Sequence, residues 1–268
     1  MVFVHRFCSQ VRLKLSRQIL SLADFKSDLS RTNLKFPSSA TSPELPKREK
    51  VFKKLLDQHF DIYLLQETHL PDVTQCELWE KQWGGHTLWS PSTNRSTRVG
   101  LLLNPGSSTE IVSHNIDTDG RVLVKLKQSD RVFQIINVYG PNKHSDRQIF
   151  FSTLWHLVFR NVDTIMTGDF NCVPDVLLDK WGGDDTFGDD GITHLHAFED
   201  SLSLEDVFQV KNPVKKLFTW FNGPHLVGCC SDRFYTPIAW RSQVRNHTCD
   251  PFSYSDHHMV SIKIQLRH

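Results

Sequence analysis

The sequence predicts a layered α/β fold in which two β-sheets pack face to face and helices cover their outer surfaces. Many short apolar or alternating segments are typical of strands, a few segments show helical spacing, and no internal repeat is present. With 268 residues, of which 39% are hydrophobic, the chain can bury one sizeable core. A single domain is therefore expected.

The first part of the chain differs in charge from the rest. Residues 1–54 contain twelve Lys and Arg against four Asp and Glu, and the remainder contains nineteen against twenty-six, although the net charge is only +1. We expect residues 1–44 to form a basic, partly disordered or degenerate N-terminal segment and residues 45–268 to form the domain. A transit peptide, a basic nucleic-acid arm and a solvated tail are open interpretations of the segment. The slightly acidic body lacks the broad basic surface of a tight, stand-alone DNA binder.

Helix and strand signals follow one another along the domain. Apolar residues share one face of a predicted helix over 45–58, and the apolar run 62–65 is typical of a buried strand. Further strands are predicted by apolar or alternating segments at 99–103, 121–127, 132–138, 163–168, 217–221, 231–235 and 259–266. Helical spacing recurs at 146–160 and around 193–203, and the Gly-rich segment 182–191 is typical of a surface loop.

Composition also bears on location. No run approaches the roughly 18 consecutive apolar residues that a membrane span requires, so no membrane contact is expected. The six cysteines show no zinc-site spacing and no secretory leader precedes them, which favours a reducing compartment. We therefore expect an intracellular, nuclear protein, and no motif indicates an obligate protein partner.

Short polar motifs stand directly beside predicted strands. Glu67 follows the first apolar strand in LLQETHL, and Asp169 and Asn171 end a later one in TGDFN. Asp256 and His257 precede the last strand in YSDHH. A layered fold gathers such loops at one edge of its sheets. Each motif alone is typical of a turn or a helix cap, but together they predict one site.

The carboxylates suit metal-assisted hydrolysis of a phosphodiester. Mg²⁺ prefers oxygen ligands and keeps several waters, so Glu67 and Asp256 would suffice as its protein ligands. Asp169 and Asn171 are spaced by one residue and project to the same side of an extended segment. One would activate the attacking water, and the other would hold that water or a phosphate oxygen.

A histidine completes this chemistry. His257 could donate to the phosphate if a carboxylate fixes its tautomer and keeps it protonated. Asp232, in CCSDRFY, is the candidate partner. The adjacent His258 faces the opposite way on an extended segment, so only one of the two histidines can enter the site.

The ordered set of motifs resembles a known family. QETH, NVYGPN, TGDFN, FTW, DRFY and SDH, in that order over about residues 50–266, are similar to the apurinic-type endonuclease domain of LINE-type (non-LTR) retrotransposons. That domain lies within the endonuclease/exonuclease/phosphatase (DNase I-like) superfamily. The resemblance implies a four-layered α/β sandwich of two mostly antiparallel sheets with one active-site edge. It also implies a Mg²⁺- or Mn²⁺-dependent endonuclease that nicks DNA and leaves a 3′-hydroxyl.

The resemblance implies a role for each motif residue. The implied catalytic residues are Asp169, His257, Asp232, Asn171 and Tyr139. Glu67 and Asp256 are implied metal ligands, Asn142 would contact the scissile phosphate with Tyr139, and Thr219 would lie near the substrate or brace the site. An ordinary strand-end aromatic remains an open interpretation of Tyr139, as does a packing role for Thr219.

Three branches of the superfamily share parts of this pattern. Abasic-site repair endonucleases have a Trp three residues before the supporting Asp, where this chain has Cys229. Inositol-polyphosphate phosphatases share an Asp-Arg step but carry Asn-x-His-Leu where this chain has NVYGPN. The retrotransposon branch therefore fits best.

The chain departs from the family pattern in two places. The family's first strand presents an Asn-x-x-Gly-Leu segment that touches the metal, and Asn33 is the best candidate for that Asn, although Leu34 to Pro37 follow it. Cys230 and Ser231 replace the Arg and Ile that precede the supporting Asp. A decayed or domesticated, non-catalytic nucleic-acid-binding module is therefore the alternative. A covered sheet edge beside Glu67 and convergence of the six polar side chains would favour the enzyme.

Overall fold

Four layers of secondary structure, in the order helix, sheet, sheet, helix, make up the domain. The computed structural model describes residues 9–17, 47–68, 73–90, 99–117, 121–183, 190–223 and 226–266. Two six-stranded sheets form the inner layers, and a third, three-stranded sheet accompanies them. This arrangement confirms the predicted fold class.

The elements have the following bounds. The strands are β1 (Ser9–Arg17), β2 (Ile62–Gln66), β3 (Thr87–Trp89), β4 (Gly100–Leu103), β5 (Glu110–Ile116), β6 (Arg121–Gln128), β7 (Arg131–Tyr139), β8 (Thr164–Asp169), β9 (Lys180–Trp181), β10 (Leu204–Asp206), β11 (Trp220–Asn222), β12 (Val227–Cys229), β13 (Asp232–Pro237), β14 (Val244–Asp250) and β15 (Met259–Leu266). The helices are α1 (Lys47–Leu56), α2 (Val73–Trp83), α3 (His144–Ser152), α4 (Val176–Asp179), α5 (Asp190–Ser201) and α6 (Val207–Lys211), with 3₁₀ turns at Leu154–His156 and Ile238–Trp240.

The first sheet contains a strand from the N-terminal segment. Its order is β14-β15-β1-β2-β4-β3, and β1 pairs antiparallel with β15 and parallel with β2. Residues 9–17, which we expected to precede the domain, are thus an interior strand of its first sheet. The edge of β2, the strand that leads to Glu67, is covered by backbone hydrogen bonds rather than exposed.

The second sheet has the order β10-β13-β8-β7-β6-β5. Its neighbouring strands are antiparallel except for the parallel pair β7 and β8. Gly168, the glycine of TGDFN, lies in this parallel pair with a φ of +145°, and a Cβ there would lie 1.9 Å from the carbonyl oxygen of Val138. Only glycine allows β8 to approach β7 this closely just before Asp169.

The main core lies between the two sheets. Side chains alternate across β6, so that Val122, Val124 and Leu126 point into this core while Leu123 points to the helices outside. The period of two is that of a strand buried on both faces. It explains why β6 and β7 read as nearly continuous apolar segments in the sequence.

Helices cover the outer face of each sheet. On the second sheet, Phe150 and Phe151 of α3 pack with Leu195 and Phe198 of α5. On the first sheet the packing residues come from α1 and α2, and they are Val51, Phe52, Leu55, Trp79 and Trp83. Among the described residues, no helix combines the length and apolar character that crossing a bilayer would require.

The structure corrects the predicted helix over 146–160. Helix α3 ends at Ser152, and a 3₁₀ turn follows at Leu154–His156. Arg121 of β6 ends the helix because its guanidinium donates to the Phe150 carbonyl at 3.3 Å and to the Thr153 hydroxyl at 2.6 Å. A cation at a helix C-terminus satisfies carbonyls that the helix itself cannot.

Two further boundaries differ from the prediction. The strand predicted at 217–221 begins only at Trp220. Part of the Gly-rich segment predicted as a loop, 184–189, lies outside the described residues, and helix α5 already begins at Asp190.

Candidate active site

Three strands of the second sheet place three polar residues in one row. Asp169 ends β8, and its Cα partners are Tyr139, which ends β7, and Asp232, which begins β13. Cross-strand partners share one face of a sheet, so the three side chains emerge together. All three are buried, with exposures of 2% or less.

His257 joins this row from the side of the first sheet, two residues before β15 begins at Met259. Its Nδ1 lies 2.7 Å from Oδ2 of Asp232. Because the carboxylate accepts, Nδ1 donates, and this bond fixes the orientation of the buried ring. Ligand atoms of Asp169, Asp232 and His257 lie within 4.8 Å of one another, and in the described part of the chain no other His, Cys, Asp or Glu residues form such a group of three or more.

Glu67 reaches the site from the end of β2 in the first sheet. Its backbone has a φ of +48°, an unusual value for a residue other than glycine. The hydroxyl of Tyr139 donates to Oε1 of Glu67, so this contact joins the two sheets. A non-glycine residue in the left-handed region is a strained position of the kind that occurs at functional sites.

Asn171 has a similar backbone, with a φ of +48°. Its amide N–H donates to Oδ1 of Asp169 at 3.0 Å, and its side-chain Nδ2 donates to the carbonyl of Gly140 at 2.7 Å. The first bond orients the Asp169 carboxylate, and the second ties TGDFN to the loop of NVYGPN. The two predicted neighbours therefore share one small, ordered turn.

A cavity of about 330 Å³ opens beside this group of residues. Its lining combines apolar side chains with polar groups of the motifs, and the residues are Asn142, Asn171, Cys172, Val173, Lys180, Trp220, Val227, Cys229, Ser231, Asp256 and His257. Trp220 forms a β-bridge with His257 and donates from Nε1 to Oδ2 of the exposed Asp256 at 3.1 Å. Asn142 and Asp256 thus lie at the same opening as His257.

Thr219 lies behind the site and is fully buried. Its hydroxyl oxygen accepts from the backbone N–H groups of Ser231 and Asp232, each at 3.2 Å. These contacts correspond to the bracing role that the sequence left open for Thr219. The hydroxyl holds the start of β13, and with it the Asp232 carboxylate, in place.

The two departures before Asp232 have structural counterparts. Ser231 donates from Oγ to Oδ2 of Asp232 at 3.3 Å, so it adds a donor to the carboxylate that holds His257. The pKa of the Cys229 thiol is raised to about 12, mainly by burial and in addition by the nearby charges of Asp169 and Asp232. Burial also raises the pKa of the Cys230 thiol well above its ordinary value. Both cysteines are therefore neutral thiols at physiological pH.

Arg233 supplies the long donor that Cys230 lacks. The buried guanidinium lies 2.5 Å from carboxylate oxygens of both Asp179 and Asp206. It also donates to the carbonyl of Cys230 at 3.2 Å. Arg233 thereby fixes the segment before Asp232 to α4 and β10.

Most residues predicted from the motifs come together at this edge. Three pairs are in direct contact, and they are Glu67 with Tyr139, Asp169 with Asn171, and Asp232 with His257. The cavity is lined by His257 and Asn171 together with Asn142 and Asp256. Glu67 and Asp256 are not part of the three-residue group, so their assignment as metal ligands stays a prediction. Asn33 lies outside the described residues. Lys180 was not predicted because it stands in no motif, and Ser231 was noted only as a departure from the family pattern.

Comparison with known proteins identifies a distant relative among mobile elements. No protein-family model matches the chain. A 218-residue region, 77% of the chain, is 26% identical to the transposon TX1 uncharacterized 149 kDa protein of Xenopus laevis. The aligned region spans only 16% of that much longer protein.

Solved structures resemble the chain over nearly its whole length. An AP endonuclease from Archaeoglobus fulgidus has a TM-score of 0.68 at 16% identity, covering 94% of this chain and 98% of that one. The AP endonuclease LMAP from Leishmania major has a TM-score of 0.69 at 13% identity, covering 97% and 88%. The endonuclease domain of TRAS1, a telomere-specific non-LTR retrotransposon, has a TM-score of 0.64 at 13% identity, covering 97% and 100%. The chain therefore has the AP endonuclease-like, DNase I-like fold, and its sequence is distantly similar to that of a transposon protein.

Proposed function

We propose that this chain is a divalent-metal-dependent DNA endonuclease that hydrolyses a phosphodiester and leaves a 3′-hydroxyl, as in target-site cleavage by a retrotransposon. The observation that carries the proposal is the group formed by Asp169, Asp232 and His257. The group lies at a sheet edge to which the other sheet contributes Glu67. Distant similarity to a transposon protein supports DNA as the substrate, and a nuclear site of action is part of the same proposal.

The His257–Asp232 pair is arranged to act on a phosphate. Because Nδ1 is engaged by the carboxylate, Nε2 is the ring nitrogen that a substrate can meet. A neighbouring carboxylate also stabilises the imidazolium, which can donate to a phosphoryl oxygen. The ring is buried among fixed partners, so little reorganisation is needed when the substrate binds.

Asp169 is placed to accept a proton from the attacking water. Its Oδ1 is held by the Asn171 N–H at 3.0 Å, and its ligand atom lies within 4.8 Å of those of His257 and Asp232. Water would attack the phosphorus, and the bond from phosphorus to the 3′-oxygen would break. The released oxygen takes up a proton to give the 3′-hydroxyl, and the phosphate remains bonded to the 5′-oxygen of the next nucleotide.

The residues at the site fit a hard cation. Glu67 and Asp256 offer carboxylate oxygens, which Mg²⁺ and Mn²⁺ prefer. Cys229 lines the same cavity, but with a pKa of about 12 its sulfur stays protonated and is a poor ligand at neutral pH. When bound, such a cation stabilises charge on the phosphoryl oxygens.

Cleavage at abasic sites is a second candidate. The cavity of about 330 Å³ beside His257 has an apolar wall, formed in part by Val173 and Val227, against which a sugar without a base could lie. Cys229 in this wall stands where the repair branch has a Trp. The likeness to two AP endonucleases supports the fold of that branch rather than its substrate.

The test compares three substrates under matched conditions. Purified chain is incubated with supercoiled plasmid, a duplex with one abasic site, or an oligonucleotide with a 3′-phosphate, each with Mg²⁺, Mn²⁺ or EDTA. We expect nicked plasmid with either metal, none with EDTA, and nicks that a DNA polymerase extends. Cleavage confined to the abasic duplex would favour repair, phosphate release alone would favour a phosphatase, and DNA binding without turnover would favour a decayed module.

A further inference from the structure

The three-stranded sheet presents two different faces beside the site. Its order is β11-β12-β9, and its register pairs Trp220 with Cys229 and Cys229 with Lys180. These three residues line the cavity with His257. The adjacent row consists of Phe221, Gly228 and Trp181. Because neighbouring residues of a strand point to opposite faces, this second row faces away from the cavity.

The outward row carries exposed aromatic rings. Trp181 is 50% exposed and Phe221 is 42% exposed. The Phe221 ring packs edge to face with Phe218, with centroids 5.9 Å apart, and lies 5.4 Å from the ring of His258. These contacts hold the Phe221 ring in a defined position although one side of it meets solvent.

Gly228 allows the rings to lie on the sheet. A Cβ at this position would approach the Phe221 ring to 3.1 Å and the Phe218 ring to 3.3 Å. The central strand β12 therefore has no side chain between Trp181 on one flank and Phe221 on the other. With neighbouring strands roughly 4.8 Å apart, the two flanking strands are separated by about 10 Å. The rings of Phe221 and Phe218 thus cover the outward face of β12, and Trp181 stands on the opposite flank.

We propose that this outward face, formed by Trp181, Gly228 and Phe221, is a stacking platform for unpaired bases of single-stranded DNA. Aromatic rings bind single strands by stacking on base faces. Bases in a duplex are already stacked, so only unpaired bases can use these rings. Exposed Lys215 and Lys216 precede Phe218 by three and two residues and add positive charge for the phosphates.

The location of the platform favours nucleic acid as its occupant. The same three strands that carry the platform also form the wall of the proposed nuclease site, so a strand leaving that site can continue onto the outward face. The inference rests on the proposed function in this respect. A second copy of the chain fits less well, because a stable protein interface uses about 20–30 residues a side, whereas this row offers two exposed rings.

The test measures binding of a fluorescently labelled oligothymidylate by anisotropy, in EDTA so that no cleavage occurs. We expect Trp181→Ala and Phe221→Ala each to weaken binding about tenfold. A second probe has the same length and charge but abasic spacers in place of bases, and here both variants should bind as the wild type does. Trp155→Ala is the matched control, since Trp155 is 45% exposed in a 3₁₀ turn and packs against Phe198 of α5 rather than on this sheet.

Three outcomes would overturn the platform. The first is unchanged oligothymidylate affinity in both variants. The second is an equal loss of affinity for the two probes, which would point to charge, and the third is a change in oligomeric state by sedimentation, which would point to self-association. Plasmid nicking in Mg²⁺ by the wild-type chain is scored separately. A chain that does not nick but shows base-dependent binding through these rings would refute the proposed function and support the platform. A chain that nicks but shows no base-dependent binding would support the proposed function and refute the platform.

Discussion

The carboxylate of Asp232 decides which nitrogen of His257 a substrate can meet. The carboxylate accepts hydrogen bonds from His257 Nδ1 at 2.7 Å and from the Ser231 hydroxyl at 3.3 Å. The backbone N–H of Asp232 donates to the Thr219 hydroxyl. Two of these contacts restrain the same carboxylate oxygen, and the third restrains the backbone that carries it. The imidazole therefore stands in one orientation before any substrate arrives, as a group that acts on a phosphate requires.

A second residue-scale feature is the carboxyl of Glu199 on α5. Burial raises its pKa to about 8, a hydrogen bond with Tyr235 opposes that rise, and the charge of Asp206 adds to it. In the unfolded chain the same carboxyl ionises near its ordinary value of 4.5. Folding therefore binds a proton between these two pH values, and this group's contribution to the free energy of unfolding falls as the pH rises through that window.

Glu199→Gln should remove this pH dependence. The amide keeps an acceptor for Tyr235 but cannot ionise, so we expect the variant to melt at a higher temperature than the wild type at pH 8. The difference should shrink as the pH falls towards 4.5, because the wild-type carboxyl is then protonated in the folded state and increasingly protonated in the unfolded state. Thermal melts of both proteins at pH 4.5, 6 and 8 provide the measurement. A constant difference across the three pH values would contradict the assignment.

Residues within motifs were predictable, and residues that only support them were not. Asp169, Asp232 and His257 stand in short polar motifs whose order is specific, and the structure brings them within 4.8 Å. Lys180 reaches the same cavity through its strand register with Cys229. Register depends on which strands become neighbours, and that information is not local in the sequence.

At the scale of elements, Arg233 fastens β13 to its surroundings. Its guanidinium contacts Asp179 at the end of α4 and Asp206 at the end of β10, and all three side chains are at most 13% exposed. Its charge is therefore compensated within the interior. Removing only the cation would leave two carboxylates without their partner in a poorly hydrated place.

Arg233→Met is expected to destabilise the fold by about 3–5 kcal/mol, because it leaves buried carboxylates uncompensated. Arg131→Met is the matched control, since Arg131 pairs with Asp163 at 3.6 Å and the two side chains are 36% and 42% exposed. The control should change stability little because solvent screens such pairs. Urea unfolding of both variants measures the free energies. Equal effects of the two substitutions would contradict a structural role for the buried cation.

Central elements were predictable from periodicity, whereas edge strands were not. Strands β6 and β7 are buried on both faces and are apolar enough to be recognised. Strands β5 and β14 lie at sheet edges, and their residues are mostly exposed or half-buried, with sequences EIVSHNI and VRNHTCD. A strand that buries little surface carries little apolar signal. Strand β1 was not predicted for a different reason, because its basic residues gave the segment the composition of an N-terminal arm.

At the scale of the whole molecule, the site exists only where the two sheets meet. Glu67 and His257 come from the first sheet, and Tyr139, Asp169 and Asp232 come from the second. The contacts between these residues cross the interface between sheets. Packing of the main core therefore creates the geometry of the site, and the fold and the constellation form together.

The most direct test of this account is plasmid nicking by Asp169→Asn and His257→Ala in Mg²⁺. Both variants should melt cooperatively, and each should nick about 10² to 10⁴ times more slowly than the wild type, the usual loss for a proton-transfer group. His114→Ala is the control, because His114 is exposed on the edge strand β5 and should nick normally. Wild-type nicking rates in folded Asp169→Asn and His257→Ala proteins would contradict the claim that these residues form a hydrolytic centre.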